Sequence, residues 1–322
     1  MSKIILVSGA TGFLGNALVT RFCTLPGISV VAPIRSNNIK LPDVVKKTLI
    51  SCIDESTDWT QSLSGVNVVV HSAARVHVMH EDPAQSLEKF RAVNVQGTLN
   101  LARQAVQAGV KRFVFISSIK VNGEVTSPGR TFFADDIPHP TDPYAISKYE
   151  AEQQLMQLAS TGVIDVVIIR PVLIYGPNVA ANFRQMMRWL VKGIPLPFGA
   201  VTNLRSLVSV DNVVDLVKTC LDHPQAVNQI FLVSDGEDVS TTQLMQRLVD
   251  YLCVKTWLVP VPPGVLVFLA GWSGQRTTAQ RLFDSLQVDI KKNRDILGWC
   301  PPVSLNDGLK LTAKRFLESR KK

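Results

Sequence analysis

The stretch Ser8-Gly-Ala-Thr-Gly-Phe-Leu-Gly15 follows at once on the apolar run Lys3-Ile-Ile-Leu-Val and opens into a segment of helical periodicity. Three glycines at this spacing, placed between a strand and a helix, carry far more weight than a glycine triplet elsewhere. Gly9 allows the tight turn, Gly12 lets backbone N–H groups approach a pyrophosphate, and Gly15 lets the helix pack closely on the strand. Thr11, Phe13 and Leu14 complete the same expected phosphate cradle.

Outward from this loop, the first half alternates β-branched runs with amphipathic segments. The strand-like runs are 4–7, 29–34, 48–52, 67–71, 112–116 and 165–169, and the helix-like stretches are notably 86–108 and 144–159. Continuous apolar strands separated by helices mean a parallel sheet covered on both faces. The expected fold class is therefore α/β, a doubly wound parallel Rossmann-type sheet. Beyond residue 176 the chain is punctuated by Gly176-Pro-Asn178 and Gly193-Ile-Pro-Leu-Pro-Phe-Gly199, with one more strand–helix unit at 207–221 and a strand at 229–233. This pattern divides the chain into a dinucleotide-binding domain (1–176 plus 204–236) and a smaller, discontinuous C-terminal substrate lobe (177–203 plus 237–322).

With 322 residues, 46% hydrophobic and 19% charged, the chain can bury a sizeable core, and disorder is excluded as its general state. The net charge of +8 points to anionic partners without choosing among nucleic acid, a membrane surface and phosphorylated small molecules. Part of the excess is local: Lys310, Lys314, Arg315, Arg320, Lys321 and Lys322 read as a solvated helix face and tail. Aromatic and basic residues do not interleave, so nucleic acid is not an expected partner. Five scattered cysteines without a CxxC spacing argue for a reducing compartment and against a disulfide framework or a zinc site; no metal is expected. The chain starts on a strand, leaving no room for a signal peptide, and the apolar stretch 261–272 holds Pro262, Pro263 and Gly264 and is too short to span a bilayer. It reads as a lobe helix, with an interfacial contact as the alternative, and the cytoplasm is the expected location.

The cofactor choice falls at the end of the second strand. An Asp or Glu there would bind the ribose 2′-hydroxyl of NAD. The sequence instead reads Ala32-Pro-Ile-Arg-Ser-Asn-Asn38, and Arg35 is placed to meet a 2′-phosphate. This favours NADP(H), with NAD(H) left open and adenine stacking or solvation as other uses of Arg35. Asp54 is an expected acceptor for the adenine amino group, and Ser72, Ala73 and Ala74 are expected to line the cleft.

Tyr144-Ala-Ile-Ser-Lys148 begins a helix after Thr141-Asp-Pro143, and its i,i+4 spacing puts phenol and ammonium on one face. A tyrosine near its ordinary pKa of about 10 is a poor proton shuttle at neutral pH. The expectation is that Lys148, with the positive ring of an oxidised nicotinamide, stabilises the phenolate and that Lys148 also holds ribose hydroxyls. The pair lies downstream of Ser117 and Ser118, which end the fifth strand where this architecture places its ligand cleft.

Gly9/Gly12/Gly15, His71-Ser-Ala-Ala74, Asn94 with Gly97-Thr98, Ser117-Ser118, Tyr144/Lys148, Arg170-Pro171 and Tyr175-Gly-Pro177 together resemble the extended short-chain dehydrogenases/reductases over nearly the whole length. The resemblance implies Ser118, Tyr144 and Lys148 as catalytic residues. It adds Asn94, Ser117 and Pro171 to the cofactor site. In Ser118-Ile-Lys-Val-Asn-Gly123, Asn122 replaces the family's usual tyrosine. The resemblance also implies a UDP-sugar as substrate. Asn182 and Arg205 would meet the diphosphate, the loop with Leu196 and Phe198 would receive the uracil, and Arg281 is a further candidate. A homodimer through helices of the first domain is implied as well.

Both a 4-keto reductase and a 4-epimerase start from this geometry. A reductase releases its cofactor every turnover and draws on NADPH, so the missing acid after the second strand favours it. The block from Arg170 to Asp238, with Ser285-Leu-Gln-Val-Asp289 and Leu297-Gly-Trp299, further resembles bacterial reductases of UDP-4-keto-6-deoxy-N-acetylglucosamine, which make UDP-N-acetylquinovosamine for surface polysaccharide. The expected reaction is thus C4 reduction with NAD(P)H, and the alternative is an NAD-dependent UDP-hexose or UDP-N-acetylhexosamine 4-epimerase. A non-catalytic cofactor-binding module is disfavoured because Ser118, Tyr144 and Lys148 are all present.

Overall fold

The computed structural model describes residues 3–36, 41–76, 83–272 and 283–320. The apolar run before the glycine loop is β1 (Lys3–Ser8), and the loop opens α1 (Phe13–Phe22). β2 (Ile28–Ile34), β3 (Lys46–Leu49), β4 (Val68–His71), β5 (Arg112–Ile116), β6 (Asp165–Pro171) and β9 (Gln229–Val233) join β1 in one sheet of order β3-β2-β1-β4-β5-β6-β9. Every pairing in it is parallel. The strand order reverses at β1, which lies between β2 and β4, and a crevice at that point is where open α/β sheets bind ligands.

The sheet is buried on both faces, as its apolar strands require. Ile5 and Val7 face one cluster with Leu18, Val19 and Phe22 of α1 and Val213 and Val217 of α7 (Val210–Cys220). Leu6 faces the other, with Leu101 and Ala102 of α4 (Thr98–Gln107) and Leu155 of α5 (Pro143–Ser160). The short helix α2 (Thr60–Leu63) closes the second face, where Leu63 is buried.

The continuous helix expected over 86–108 is broken into α3 (Pro83–Arg91), a π-helical stretch Ala92–Gly97, and α4. Such π insertions concentrate at functional sites, and this one carries Asn94. The third strand sits at 46–49, two residues earlier than 48–52, because it is a sheet edge on which Lys46 and Lys47 stay in water while Thr48 turns inward.

A second, three-stranded sheet is formed by β7 (Leu173–Tyr175), β8 (Arg205–Ser209) and β10 (Asp238–Val239). Around it a third apolar cluster gathers Phe183 and Met187 of α6 (Ala181–Leu190), Leu244 and Leu248 of α8 (Thr241–Leu252), and Leu309 and Phe316 of α11 (Leu305–Arg320). Between them run α9 (Pro263–Trp272) and α10 (Lys291–Leu297). Residues Leu286, Val288, Leu297 and Trp299 return to the cluster under the large sheet. No helix among the described residues is long and apolar enough to cross a membrane, all five cysteines are free, and no group of three potential metal ligands occurs among the described residues.

Candidate active site

The glycine cradle is built from contacts that leave no room for side chains. Gly9 adopts φ +71°, and a Cβ there would stand 2.7 Å from the Ala73 backbone nitrogen. A Cβ on Gly15 would lie 2.0 Å from the Gly9 carbonyl oxygen, so the first turn of α1 rests on the loop itself. At Gly12, by contrast, the added atom would meet the Gly9 oxygen at 3.3 Å and nothing else nearby. That open side, at the N-terminus of α1, is where backbone N–H groups and the helix dipole favour an anion. Thr11 is exposed in the loop, whereas the half-buried Phe13 and Leu14 direct their side chains to apolar clusters and have backbone N–H groups to offer. Ser117, at the end of β5, is buried with its hydroxyl lacking a partner. These features fit a dinucleotide with its pyrophosphate at Gly12.

A buried polar chain ties the cradle to the next strand and to α5. The Thr98 hydroxyl donates to the Asn94 carbonyl (2.7 Å), so it accepts from His71 Nε2 (2.9 Å). His71 therefore carries its proton on Nε2, and its Nδ1 accepts from Ser8 Oγ at 2.6 Å. Asn94 receives the Arg75 backbone N–H at 2.8 Å and donates to Ser147 Oγ at 3.0 Å, which in turn donates to the Tyr144 carbonyl. The Ser72 hydroxyl donates to the Ser8 carbonyl (2.6 Å), and Ala73 lies against Gly9 with Ala74 following it. Pro171 is buried at the end of β6, paired with Val233.

Asp142 caps α5 through a 2.7 Å bond from the Ala145 N–H, and Pro143 occupies the first turn, which needs no amide there. This fixes Tyr144 and Lys148 on one side of the helix. Burial, then the Asp142 carboxylate, pushes the Tyr144 phenol up to about 12, and a hydrogen bond from Ser118 pulls the other way. Lys148 Nζ donates to the Ile116 carbonyl at 2.8 Å and lies 4.3 Å above the Phe115 ring. Burial brings it down to about 7, with Glu152 opposing. In the protein alone, burial leads the shift at both groups.

Two cofactor expectations fare differently. Arg35 is exposed just past β2. Asp54 is occupied by its own loop: it accepts from Ser56 N (2.9 Å), Ser56 Oγ (2.8 Å) and Cys52 Sγ (2.8 Å). Those bonds, led by Cys52, bring its carboxyl down to about 2. The expected adenine acceptor is therefore first a loop-ordering carboxylate.

On the substrate side, Arg205 begins β8 and donates to the Asp284 carbonyl at 3.1 Å. Phe198 sits 6.3 Å from the neighbouring Phe283, ring to ring, and Asn182 is exposed on the first turn of α6. Phe198, Phe283, Asp284 and Arg205 are thus one neighbourhood. Leu196 is spent otherwise. It is buried in the third apolar cluster, and its N–H and C=O pair with Trp257 and Val259. Arg281 lies outside the described residues.

Sequence reasoning missed an ionic cluster beside the phenol. Lys120 Nζ bonds Asp142 Oδ2 and Glu124 Oε1, the latter at 2.8 Å. Lys120 and Glu124 flank the departure at Asn122, and that clustering of charge next to Ser118 was the available signal. Asn122 itself is buried, accepting from Arg170 Nη1 and donating to the Phe133 carbonyl, both at 2.9 Å.

Few enzyme classes set a phosphate cradle at a sheet's switch point and a phenol four residues before a buried lysine on a neighbouring helix. The extended short-chain dehydrogenases/reductases do. The NAD dependent epimerase/dehydratase family matches residues 5–234, and the chain belongs to it. It is 47% identical over 320 residues to a UDP-glucose 4-epimerase of Vibrio cholerae, covering 99% of this chain and 97% of the relative. It is 27% identical over 256 residues to a GDP-6-deoxy-D-mannose reductase of Pseudomonas aeruginosa, covering 76% and 78%. Among solved structures, MoeE5 in complex with UDP-glucuronic acid and NAD superposes with a TM-score of 0.77 at 25% identity, covering 98% of this chain and 99% of that one. The protein is an enzyme of the NAD dependent epimerase/dehydratase family, which works with a nicotinamide dinucleotide.

Proposed function

We propose that the protein is a UDP-hexose or UDP-N-acetylhexosamine 4-epimerase that retains NAD. The observation that carries this reading is the full-length identity of 47% to a UDP-glucose 4-epimerase, well above the 27% to a reductase. It replaces the reductase preference drawn from the missing acid after β2.

In this reading Gly9, Gly12, Gly15 and the N–H groups of Thr11, Phe13 and Leu14 hold the pyrophosphate. Ser72, Ala73, Ala74, Asn94, Ser117 and Pro171 line the cofactor cleft, and Arg35 and Asp54 lie toward the adenosine. Lys148 takes the nicotinamide ribose hydroxyls. Arg205, Asn182 and Phe198 serve the UDP moiety, in a lobe formed by 177–203 and 237–322. When bound, the oxidised dinucleotide supplies a hydride acceptor for C4 and a positive charge near the phenol. Tyr144 removes the 4-hydroxyl proton and returns it, and Ser118 hydrogen-bonds the same oxygen as its charge changes. The test is incubation with UDP-glucose, and separately UDP-N-acetylglucosamine, with the sugars resolved by NMR. The expected product is the C4 epimer without added reductant, and recovery of unchanged sugar overturns the reading.

A second reading, a 4-keto reductase using NADPH, is supported by Arg35 and by Tyr144. An exposed arginine suits a 2′-phosphate, and a phenol held protonated suits donation to a carbonyl oxygen. Stoichiometric NADPH oxidation by a UDP-4-keto-6-deoxyhexosamine would establish it. Under either reading we propose a homodimer through α4 and α5, whose outer sides, with the end of α3, form a groove lined by Arg91, Leu99, Arg103 and Glu150.

A further inference from the structure

Lys120 occupies the short turn Ile119–Val121 that follows Ser118, and its backbone N–H donates to Ser118 Oγ at 3.3 Å. Its side chain leaves that turn, bonds Glu124, and reaches Asp142 at the cap of α5. Asp142 uses its two oxygens separately: Oδ1 caps the helix and Oδ2 takes the ammonium. Ser118 and Tyr144, which must address one substrate oxygen, are carried by two different segments. The Lys120–Asp142 contact bridges those segments within two residues of each.

We propose that Lys120 is a positioning residue for chemistry at Tyr144: by bridging Asp142 and Glu124 it ties the turn that carries Ser118 to the cap of the helix that carries Tyr144, and it offsets the carboxylate nearest the phenol. The inference rests on Tyr144 being the proton carrier of the proposed function. An unpaired carboxylate beside a phenol opposes phenolate formation, because two like charges then share a partly desolvated site. Asp142 already acts on Tyr144 in that direction with Lys120 in place. The other charges near this pair are Glu124, just past the turn and itself hydrogen-bonded to Asp142, and Lys148 and Glu152 further along α5, the last paired with Arg170. From α3 the phenol meets the Phe90 ring at 6.1 Å, and on the smaller lobe Asp284, near Arg205, lies within electrostatic reach of Glu124.

The test reads the phenol directly, without requiring turnover. The NAD-loaded protein, labelled with ¹³Cζ-tyrosine, is titrated by NMR, and Tyr144 is assigned among the four tyrosines by Tyr144→Phe. In Lys120→Met the Tyr144 midpoint is expected to rise by about one pH unit. Lys120→Arg should restore it. Asp142→Asn, which keeps an acceptor at the cap, should lower it, and Lys120→Met with Asp142→Asn should return toward the parent. A midpoint unmoved in Lys120→Met, or a rise that the double variant keeps, overturns the inference. The same shift in Lys120→Met, found alongside a parent protein that epimerises no UDP-sugar, supports the inference and counts against the proposed function alone.

Discussion

The Arg170 guanidinium and the Glu152 carboxylate form a forked ion pair in the interior, with Nε 2.9 Å from one carboxylate oxygen and the side chains only 2% and 3% exposed. Glu152 lies one helical turn past Lys148, and Arg170 also bonds Asn122. The pair thus joins β6, α5 and the turn after Ser118. Removing one partner leaves the other charge buried and uncompensated, which costs roughly 3–5 kcal/mol. Glu152→Ala and Arg170→Met should each lower unfolding stability in urea by that order. Replacing both by apolar residues should cost clearly less than either alone, and equal losses in all three would contradict this.

The cradle glycines should separate folding from binding. Gly15→Ala drives a methyl into the Gly9 carbonyl, so it should lower the melting temperature and abolish cofactor retention together. Gly12→Ala makes a milder contact, 3.3 Å from the Gly9 carbonyl oxygen, but fills the expected pyrophosphate side, so thermal stability should fall less than in Gly15→Ala while dinucleotide affinity falls at least tenfold. Calorimetric titration with NAD and a melting curve on each variant check both.

His71 makes stability depend on acid. Its folded-state pKa, brought down to about 3 by burial and then by Lys148, lies below its ordinary 6.5. Between those values the unfolded chain binds the proton and the folded one does not. The histidine's contribution is therefore complete above pH 6.5 and is lost as pH falls toward 3, by at most about 5 kcal/mol. Urea midpoints across that window should fall with acid more steeply for the parent than for His71→Gln. Parallel slopes would show that His71 is not the group.

Tyr144→Phe should remove at least a hundredfold of kcat while cofactor affinity is kept. Burial and the Asp142 carboxylate push the phenol up in the protein alone, so the epimerase rate should climb with pH toward the midpoint that the bound cofactor sets, and a rate independent of pH from 6 to 10 would remove Tyr144 from this role. Arg35→Asp should tilt any NADPH-dependent activity toward NADH, and unchanged preference would show that the arginine is solvated only.

The large sheet was legible because its strands are apolar on both faces and separated by helices, so runs such as Val68–His71 stand out without a partner. The glycine loop and the Tyr144/Lys148 spacing were legible because they are local. What the chain kept hidden is long-range or too short for periodicity. β7 has three residues and β10 two. Lys120 and Asp142 are 22 positions apart, and Arg170 and Glu152 are 18 apart. The bonds from Ser56 and Cys52 that order the Asp54 carboxylate were hidden because the sequence around it does not reveal that the loop folds back. The π stretch Ala92–Gly97 escaped because apolar periodicity does not separate a π from an α turn; within it Gly97 packs on Ile53 so closely that a Cβ would lie 2.9 Å from its side chain.

The central claim is a reversible hydride removal at C4 by a cofactor that stays bound. Its most direct test uses UDP-glucose deuterated at C4, with the purified protein and NAD as the only additions. The expected result is UDP-galactose with the deuterium retained at C4 and no net accumulation of NADH. No interconversion of this sugar or of UDP-N-acetylglucosamine, alongside net oxidation of NADPH by a UDP-4-keto-6-deoxyhexosamine, would contradict it.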